Sequence, residues 1–563
     1  MENKGLSRFY SHQEWFKQFQ NSPEYKRLKN HPIAYFCAEY GLGDQLPFSG
    51  GLGILSGDIL KEAGDQKLPM IAIGLYYHSG LVCEKDEPKF LKIKESPTKE
   101  AGLKIVLDSN NKPLIIKVPI KNQDVLVQAW VKKVNGIKLF LLDTDLKENN
   151  INDQIITNHL YPSDKEIGLK QSMIIGIGGV RLLKAMGIEP EIYHISEGHS
   201  AMVAFELIGQ EMETRKLNFN EAKQFARRRI VFTNHTLVPA GNKVFNNDLV
   251  SVFLSKYSQE LKIPTMELIK FGLINEFNVF SLTMVGLRTA GIINAVSNLH
   301  SQKAKELWPD YPMVGVTNGI HIKTWDLLEN PKNSTNLWSV HQKRKKILLD
   351  FIKKKTSQDW PMNTLLIGWA RRIVSYKRPT VLFENLKKLK TIAQNKNQPI
   401  KIVMAGQPHR SDEVGIRLLK EIRLLAETEL KGLLVYLPEY NVEMAKLLIS
   451  GCDVWLNTPV VGFEACGTSG MKAGLNGVLP FSTKDGWIDE IEMYGKGWLI
   501  KNEAINSNIL ETLEKNIIPL YYSRNSKGCP EQWIRNMKNS REMILNDFSA
   551  TRLLEDYIKM LYL

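Results

Sequence analysis

The residues best suited to chemistry lie in the segment Glu464–Lys472, which reads EACGTSGMK and follows an apolar strand-like run. Its small residues offer backbone N–H groups and hydroxyls without bulky side chains: Gly467, Thr468, Ser469 and Gly470. We expect a helix to begin near Met471, with an anion at its N-terminus and Lys472 beside that anion on the first turn. A lysine amine next to a phosphate seat suits a Schiff base with pyridoxal phosphate, and it leaves Glu464 free for a polar substrate. A single lysine after a strand–helix turn is more often a surface residue, so this assignment depends on the rest of the chain.

A second basic loop follows the predicted strand Thr364–Ala370 and contains Arg372 and Lys377. Pro379 suits the first turn of a helix that we expect over Thr380–Thr391, so both cations would lie on a strand-to-helix loop. Arginine offers a fork of donors and lysine a point charge, which together could hold a dianion. An exposed basic turn is an equally good interpretation of this loop by itself.

A glycine-rich loop, Phe48–Gly53, precedes a helical pattern over Ile54–Gly64. Gly50 and Gly51 could let the backbone approach a ligand closely, and the N-terminal end of that helix favours an anion. Glycine turns before helices are common, so this loop alone gives weak support for a binding site.

Three further polar segments follow predicted strands: Glu197–His199, Asn234–Thr236 and Thr317–Gly319. Histidine and asparagine at such positions could hydrogen-bond sugar hydroxyls, or they could order their own loops. The spacing of His199 and His235 from other candidate ligands forms no metal site that we recognise, and no G-x-S-x-G motif of a serine hydrolase is present.

Strand-like apolar runs alternate with amphipathic helical patterns along the whole chain, which predicts a parallel α/β architecture. A polar segment over residues 327–346 marks the junction between two halves. We therefore expect two doubly wound, Rossmann-like domains, 1–325 and 326–563, whose strand-end loops face a central cleft. Whether the last helices, within 541–563, pack back on the first domain is left open. The clearest strands are predicted at residues 70–74, 139–142, 192–195, 230–233, 312–316, 364–370, 400–405, 433–437 and 452–457.

The composition is that of a globular protein of 563 residues, 43% of them hydrophobic, with a formal net charge of +14. Five scattered cysteines without C-x-x-C spacing indicate a reducing compartment, and the start of the chain lacks the apolar segment of a secretory signal. No stretch is long and apolar enough to span a membrane, so we expect a cytoplasmic protein. The basic clusters Arg227–Arg229, Lys343–Lys346 and Lys353–Lys355 are more typical of solvated helix faces than of a nucleic-acid patch, because no aromatic residues are interleaved.

These motifs resemble those of the α-glucan phosphorylase family, which includes glycogen and starch phosphorylases, and in particular its shorter bacterial form. Residues 464–472 are similar to the family's cofactor-lysine motif E-A-S-G-T-G-N-M-K, and residues 371–378 are similar to its phosphate-site motif K-R-I-H-E-Y-K-R. The resemblance covers most of the chain, from about Ile33 to Asp489. Further counterparts are Gly50–Gly53, Thr233–Thr236 and Thr317–Ile320.

For the cofactor, the resemblance implies pyridoxal 5'-phosphate. Lys472 would form the Schiff base, and Thr468 with neighbouring backbone groups would hold the cofactor phosphate. The other residues expected around the cofactor are Gly467, Ser469, Tyr440 and Gly51.

For the substrates, the resemblance implies inorganic phosphate and the glucosyl unit that is transferred. Arg372, Lys377 and the amide of Gly51 would hold the phosphate, and the first two are expected to act in catalysis with Lys472 and His235. The residues expected around the sugar are Glu464, His235, Asn318, Tyr376, Gly50 and His199, and no metal ligand is expected.

The chain also departs from the family's motifs. Ser469–Gly470 replaces a Gly-Asn pair, Cys466 replaces a serine, and Val374–Ser375 replaces a His-Glu pair. Ser49 and Gly168 stand where the long enzymes carry asparagine and arginine. These departures spare the lysine and the paired cations, so they bear on the finer details of sugar recognition.

The reaction that the resemblance implies is reversible phosphorolysis of an α-1,4-glucan, such as glycogen, starch or maltodextrin, to α-D-glucose 1-phosphate with retention. Phosphate groups would then carry out the proton transfer for which a retaining hydrolase uses two carboxylates. Two other functions stay open on the same scaffold: a nucleotide-sugar-dependent glucan synthase and a non-catalytic glucan-binding protein. No nucleic-acid or membrane partner is expected, and homo-oligomer formation is left open.

Overall fold

The computed structural model describes residues 4–43, 46–84, 87–92, 102–238, 241–274, 278–328, 334–409, 412–526 and 528–563. The chain divides into two compact units. The N-terminal unit consists mainly of His12–Leu81 and Phe90–Val316, together with Leu553–Leu563, and the C-terminal unit consists mainly of Thr317–Arg552. The domain boundary expected between residues 325 and 326 stays a prediction.

The α-helices of the described residues alternate with strands along both units. They span Ser7–Phe19, Pro23–Asn30, Gly51–Asp65, Ile151–Gln154, Lys165–Met173, Gly179–Ala185, Val203–Arg215, Phe219–Arg227, Asn247–Glu260, Thr265–Ile269, Leu282–Thr289, Asn298–Leu307, Ile322–Trp325, Ser334–Thr356, Leu386–Ala393, Glu413–Glu427, Val442–Gly451, Thr468–Leu475, Ile505–Thr512, Ile518–Tyr522, Glu531–Asp547 and Ala550–Tyr557.

The strands largely confirm the alternation that the sequence predicts, but over residues 104–143 four strands follow one another without a helix between them. In chain order they are β1 (Ile33–Phe36), β2 (Met70–Leu75), β3 (Ser79–Glu84), β4 (Glu87–Lys92), β5 (Lys104–Ile105), β6 (Ile116–Ile120), β7 (Gln123–Val134), β8 (Ile137–Asp143), β9 (Ile192–Ser196), β10 (Ile230–Asn234), β11 (Val244–Asn246), β12 (Leu273–Ile274), β13 (Val279–Ser281), β14 (Ile292–Ala295), β15 (Val314–Gly315), β16 (Leu365–Ala370), β17 (Ile400–Ala405), β18 (Leu434–Leu437), β19 (Val454–Asn457), β20 (Leu479–Thr483) and β21 (Trp498–Ile500).

The main sheet of the N-terminal unit has the order β15-β14-β10-β9-β1-β2-β8-β7-β5, with β6 also paired to β7. Strands β15 to β8 in this order run parallel, and β5, β6 and β7 extend the sheet with antiparallel pairs. Alternate residues of β1 belong to two separate apolar cores, Ala34 and Phe36 to one, Ile33 and Tyr35 to the other. Burial on both faces is what a parallel sheet covered by helices requires.

The sheet of the C-terminal unit has the order β18-β17-β16-β19-β20-β21, and each strand pair in it is parallel. Counted from β16, this is the order 3-2-1-4-5-6 of a doubly wound dinucleotide-binding fold. The chain reverses its direction of travel across the sheet between β16 and β19, and ligands of such folds bind at the carboxyl ends of the strands on either side of that point. The loop that follows β16 carries Arg371, and the loop that follows β19 leads into the helix Thr468–Leu475, on which Lys472 lies.

Two predicted helix starts are wrong. The helix expected over residues 380–391 begins only at Leu386, because residues 375–383 form two short 3-10 turns instead. The helix expected near Met471 begins at Thr468, so Lys472 lies on its second turn and not on its first.

The basic cluster Lys343–Lys346 is only partly a solvated helix face. Lys343 and Lys346 are exposed, as predicted, but Lys345 is fully buried in an ion pair with Asp453. The amphipathic pattern of the helix Ser334–Thr356 therefore conceals one inward-facing cation.

Within the described ranges, no helix has the length and apolar character needed to cross a bilayer. In the same part of the chain, no cluster of three or more His, Cys, Asp or Glu side chains has the proximity that a metal ion requires.

Candidate functional site

The helix Thr468–Leu475 begins with an unusual turn. Gly467 precedes it with φ of +87°, a left-handed conformation that a residue without Cβ adopts at little cost. No side chain caps this helix start, so the backbone N–H groups of the first turn remain available for an anion. Lys472 lies one turn further on, is 7% exposed, and has its Nζ 3.3 Å from Oγ1 of Thr468.

Trp325 lies against Lys472 and is a site residue that the sequence analysis missed. The Nζ atom of Lys472 is 4.3 Å from the centroid of the indole ring. Asn476 holds the two residues in place, because its Nδ2 donates to the backbone oxygen of Trp325 at 2.7 Å and to that of Lys472 at 2.8 Å. The lysine amine is thus fixed beside a flat aromatic face.

A buried carboxylate and two cations lie in the loops that follow β16 and β19. Oε2 of Glu464, in the loop after β19, is 3.4 Å from Nη2 of Arg371 and 3.4 Å from Nζ of Lys377, both in the loop after β16. Burial acts to raise the pKa of Glu464, but these two cations hold it below its usual value. Burial lowers the pKa of Lys377 to about 8, with a further decrease from Arg371 and an opposing increase from Glu464.

Several buried polar atoms around this ion cluster have no hydrogen-bond partner among the described residues. Two of them belong to the cluster itself, Nε and Nη1 of Arg371, and two others, Oδ1 of Asn318 and Oδ1 of Asn457, belong to the same unit. An unpaired buried donor or acceptor costs about 1 to 3 kcal/mol, so a cluster of them indicates a ligand that completes the bonds. Arginine donors without an acceptor suit an anion.

Arg371 is the second residue that the sequence analysis missed. Two arginines stand side by side after β16, and the sequence analysis assigned the phosphate to Arg372. Arg371 is the buried one of the two, whereas Arg372 is exposed and lies within electrostatic reach of Tyr376 and Lys377. No pattern in the sequence distinguishes them, because the distinction depends on which side chain reaches Glu464.

Asp485 positions the loop that carries Glu464. Its two carboxylate oxygens accept the backbone N–H groups of Gly462, Glu464 and Gly486, each at 2.9 or 3.0 Å. Burial raises the pKa of Asp485 to about 6, and these N–H groups oppose that increase. The carboxylate therefore fixes the loop without entering the ion cluster.

The structure also places the other predicted residues of the C-terminal unit. Tyr376 packs near Phe463, with ring centroids 6.2 Å apart, and its pKa is raised by burial. Burial also raises the pKa of Tyr440 to about 12, against an opposing effect of nearby Arg371. Asn318 is 5% exposed, and its backbone oxygen accepts Nη2 of Arg552 at 2.9 Å.

In the N-terminal unit, His235 and Glu197 come together at the ends of β10 and β9. The backbone N–H of His235 donates to Oε1 of Glu197 at 2.8 Å, and Nε2 of the His235 ring is 2.8 Å from Oγ of Ser196. Burial lowers the pKa of His235 to about 3 and raises that of Glu197 to about 8. Both groups are therefore neutral near pH 7.

Gly50 and Gly51 lie where the glycine-rich loop enters the helix Gly51–Asp65. Gly50 is the N-cap residue, without a side-chain capping bond, and a Cβ at either glycine would meet no described atom within 4 Å. His199 follows β9, and both of its ring nitrogens are buried without a partner among the described residues. These residues belong to the N-terminal unit, and those around Lys472 belong to the C-terminal unit.

Residues of the C-terminal unit are suited to a phosphate-bearing cofactor with an electrophilic carbon. The N–H groups at the start of the helix Thr468–Leu475, which no side chain caps, would donate to its phosphate, with the hydroxyl of Thr468 beside them. Lys472 offers an amine, and Trp325 an aromatic face. The guanidinium of Arg371, whose Nε and Nη1 have no acceptor among the described residues, offers positive charge and donors to a second anion.

Comparison with known proteins identifies the family of this chain. The model of a family described as carbohydrate phosphorylase matches residues 322–497. The chain is 35% identical to the maltodextrin phosphorylase of Thermococcus litoralis, over 97% of this chain and 72% of the relative. It is 30% identical to the glycogen phosphorylases of Mycobacterium tuberculosis and Aquifex aeolicus, over 99% and 97% of this chain and 74% and 88% of the relatives. Identity of this extent shows that the chain is a glycosyltransferase belonging to the carbohydrate phosphorylase family.

Proposed function

We propose that this enzyme catalyses the reversible phosphorolysis of α-1,4-glucans and releases α-D-glucose 1-phosphate with retention at the anomeric carbon. The names of its relatives, a maltodextrin phosphorylase and glycogen phosphorylases, support the glucan as substrate. The observation that carries the proposal is the group of unpaired Arg371 donors beside Glu464 and Lys377, at the strand ends that also carry Lys472.

Pyridoxal 5'-phosphate is the cofactor that these residues fit. Lys472 would hold it through a Schiff base, the N–H groups of the first helical turn with Thr468 and Ser469 would bind its phosphate, and Trp325 would pack against its ring. When bound, the cofactor supplies a phosphoryl group that can exchange a proton with the substrate phosphate.

The cations of the site have to offset the repulsion between two phosphates. Two like charges about 4 Å apart interact by about 4 kcal/mol at the effective dielectric of a protein surface. Arg371 and Lys377 are buried beside Glu464, and Arg372 adds a third charge at the edge of the loop. We assign these three residues to the phosphates, together with the amide of Gly51 in the N-terminal unit.

The sugar would be held by hydrogen bonds that keep its anomeric carbon accessible to phosphate. Glu464, Asn318 and Tyr376 are assigned to its hydroxyls in the C-terminal unit. In the reaction, the glycosidic oxygen takes a proton from the substrate phosphate while the bond to the anomeric carbon breaks, and a phosphate oxygen then bonds to that carbon. His235, His199 and Gly50 are assigned to the sugar in the N-terminal unit.

Three lysine variants test the proposal. Lys472→Ala and Lys472→Arg should both lose covalently bound cofactor and the formation of glucose 1-phosphate from maltodextrin and phosphate. The arginine variant keeps the charge, so its failure would show that the amine is needed for covalent chemistry. Lys484→Ala, which removes a lysine that is 58% exposed, should retain both cofactor and activity.

Cofactor content is measured from the visible Schiff-base absorption before and after borohydride, and the product anomer by NMR. Full phosphorolysis by cofactor-free Lys472→Ala would refute the role of Lys472. Glucan synthesis from a nucleotide sugar, without phosphorolysis, would refute the proposed reaction.

A further inference from the structure

Lys243 fills a space that position 168 leaves open. Gly168 lies in the helix Lys165–Met173. The family resemblance described above implies an arginine at this position in the long enzymes. A Cβ built on Gly168 would lie 3.6 Å from Nζ of Lys243, which is ordinary van der Waals contact. An ammonium from a distant part of the chain therefore lies next to the position from which an arginine would project.

The ammonium of Lys243 has an aromatic neighbour but no carboxylate. Its Nζ is 5.5 Å from the centroid of the Tyr161 ring, and it forms no ion pair or hydrogen bond with any described residue. Burial lowers the pKa of Lys243 to about 8. Three N–H donors in a half-buried place thus lack acceptors.

His199 packs against the same tyrosine. The ring centroids of Tyr161 and His199 are 5.2 Å apart, and neither Nδ1 nor Nε2 of His199 has a partner among the described residues. Burial and the charge of Lys243 lower the pKa of His199 to about 3. A neutral imidazole needs one donor and one acceptor to satisfy its two nitrogens.

The hydroxyl of Tyr161, the tyrosine next to both Lys243 and His199, is held by the carboxylate of Glu39. Its hydroxyl donates to Oε1 of Glu39 at 2.7 Å, and the backbone N–H of Ser49 donates to Oε2 of the same carboxylate at 2.6 Å. Ser49 directly precedes Gly50 and Gly51. The cluster is thereby connected to the glycine-rich loop, within one unit.

We propose that Lys243 and His199 bind hydroxyl groups of the glucan, and that Lys243 provides the cation that position 168 lacks. The inference rests on the proposed function and assigns Lys243 a specificity-determining role in it. Hydroxyl groups satisfy both partners, because they accept from the ammonium and can either donate to or accept from the imidazole. A hydrogen phosphate dianion also carries one donor besides its acceptors, so the tests below separate the two ligands by the KM values for glucan and for phosphate.

The first test is equilibrium binding of maltoheptaose to the holoenzyme, measured by calorimetry in the absence of phosphate. Lys243→Met should weaken binding about tenfold, as expected for the loss of one hydrogen bond to a charged group, and Lys243→Arg should retain most of it. The matched control is Lys223→Met, because Lys223 also lies over an aromatic ring, 5.0 Å from the centroid of Phe271. This control should bind like the wild type.

Restoring the cation from position 168 is the second test. The double variant Gly168→Arg with Lys243→Ala should recover most of the binding that Lys243→Ala alone loses, whereas Gly168→Ala should be neutral because its Cβ fits. In phosphorolysis, Lys243→Met should raise the KM for maltoheptaose and leave the KM for phosphate nearly unchanged. Unfolding midpoints show whether each variant is folded.

Unchanged maltoheptaose binding by folded Lys243→Met would overturn the inference, and so would an equal loss in Lys223→Met. A rise in the KM for phosphate alone would also overturn it. If the wild type binds maltoheptaose through Lys243 but does not phosphorolyse it, the proposed function fails and this binding role stands.

Discussion

Asp453 and Glu464 are both buried carboxylates of the C-terminal unit, and both face two basic side chains, yet their surroundings differ. Asp453 precedes β19, at the amino end of the sheet, and Glu464 lies beyond its carboxyl end. At the first carboxylate the ammonium donors of Lys345 are all bonded within the protein, and the unpaired atoms there are Nδ1 of His341 and Oγ1 of Thr364. At the second, donors of the arginine cation itself lack acceptors among the described residues. The comparison separates a structural ion pair from an ion pair built around a ligand.

At Asp453 every charged atom has a partner. Oδ2 accepts from Nζ of Lys345 and from the backbone N–H of Leu366, and Oδ1 lies 3.1 Å from Nε2 of His341. The Lys345 ammonium also donates to the backbone oxygen of Thr364 and to the hydroxyl of Tyr521. The three donors of the ammonium are thus all satisfied in a place that water does not reach.

At Glu464 the contacts are longer and incomplete. Both cations lie 3.4 Å from Oε2, beyond the length of a well-formed charge-assisted hydrogen bond, and two donor nitrogens of Arg371 have no acceptor among the described residues. A protein that only needed stability would satisfy these donors, as it does at Lys345. Stability given up at such a position is typical of a functional site.

The largest effect is expected from Lys345→Met. Removing this ammonium leaves the buried charge of Asp453 with His341, the N–H group of Leu366 and the hydroxyl of Tyr521 as its partners among the described residues. We expect the free energy of unfolding to fall by about 3 to 5 kcal/mol, measured by urea denaturation. Lys346→Met, which removes the exposed neighbour on the same helix, should change it by less than about 0.5 kcal/mol. Equal stability of the two variants would contradict the structural role of Lys345.

Glu197 shows what happens to a buried carboxylate that has only backbone N–H groups to stabilise its charge. Burial raises its pKa to about 8, from the ordinary value of 4.5 for a glutamate. A carboxyl group with a raised folded-state pKa contributes stability that is complete below the unfolded pKa and is lost as the pH rises through the folded one. The wild type should therefore lose about 3 kcal/mol between about pH 5 and about pH 8 relative to Glu197→Gln.

The comparison with Glu197→Gln isolates this group, because glutamine keeps an acceptor for the N–H of His235 and has nearly the same shape. Urea denaturation of the cofactor-free protein at a series of pH values gives both curves. Parallel curves would show that Glu197 is ionised in the folded protein and would contradict the raised pKa.

Arg371→Met should separate activity from stability. Methionine keeps the length of the side chain and removes donors that the protein leaves unpaired, while Lys377 still faces Glu464. We expect kcat/KM for phosphate to fall about 100-fold, equivalent to about 2.7 kcal/mol, and the free energy of unfolding to change by less than about 1 kcal/mol. Arg371→Met should thus lower activity and leave stability nearly unchanged, whereas Lys345→Met should lower stability.

Arg417→Met provides the matched control, since Arg417 is exposed on the helix Glu413–Glu427. This variant should leave both kcat/KM for phosphate and the free energy of unfolding unchanged. A large loss of stability in Arg371→Met without a specific loss of phosphate use would place Arg371 in the same structural class as Lys345.

Strands such as β16, β17 and β19 could be predicted from the sequence, because they are mostly buried apolar runs and such runs are local. The strand β20, which ends in Ser482 and Thr483, was not predicted. The start of the helix after β16 could not be predicted from the sequence. Pro379 is a valid local signal, but Arg378 adopts a left-handed conformation, and its guanidinium donates to the backbone oxygens of Thr458 and Pro459 after β19. Contacts over about 80 residues of sequence thus override a one-residue preference.

In the candidate site, too, local sequence patterns do not reveal contacts between residues far apart in the chain. Motifs in two strand-end loops predicted Lys472, Glu464 and Lys377, and the structure brings the last two into one ion cluster. Arg371 and Trp325 were missed, because neither differs from its neighbours in type or spacing and each is identified only by the side chain it reaches.

The smallest expected effect concerns pH. Lys377 carries its charge below a pKa of about 8 in the free protein, since burial and the charge of Arg371 favour the neutral amine more strongly than Glu464 opposes it. As the pH rises through that value the ammonium loses its proton, whereas inorganic phosphate, which titrates near neutral pH, only becomes more completely the dianion that the cations would bind. We therefore expect kcat/KM for phosphate to fall about tenfold between pH 7 and about pH 9, while the KM for maltoheptaose stays nearly constant. Lys377→Arg should remove this decrease, because a guanidinium stays protonated throughout the range. An unaltered decrease in the arginine variant would assign the titration to another group, and the unsatisfied cluster around Glu464 would then bind phosphate through Arg371 alone.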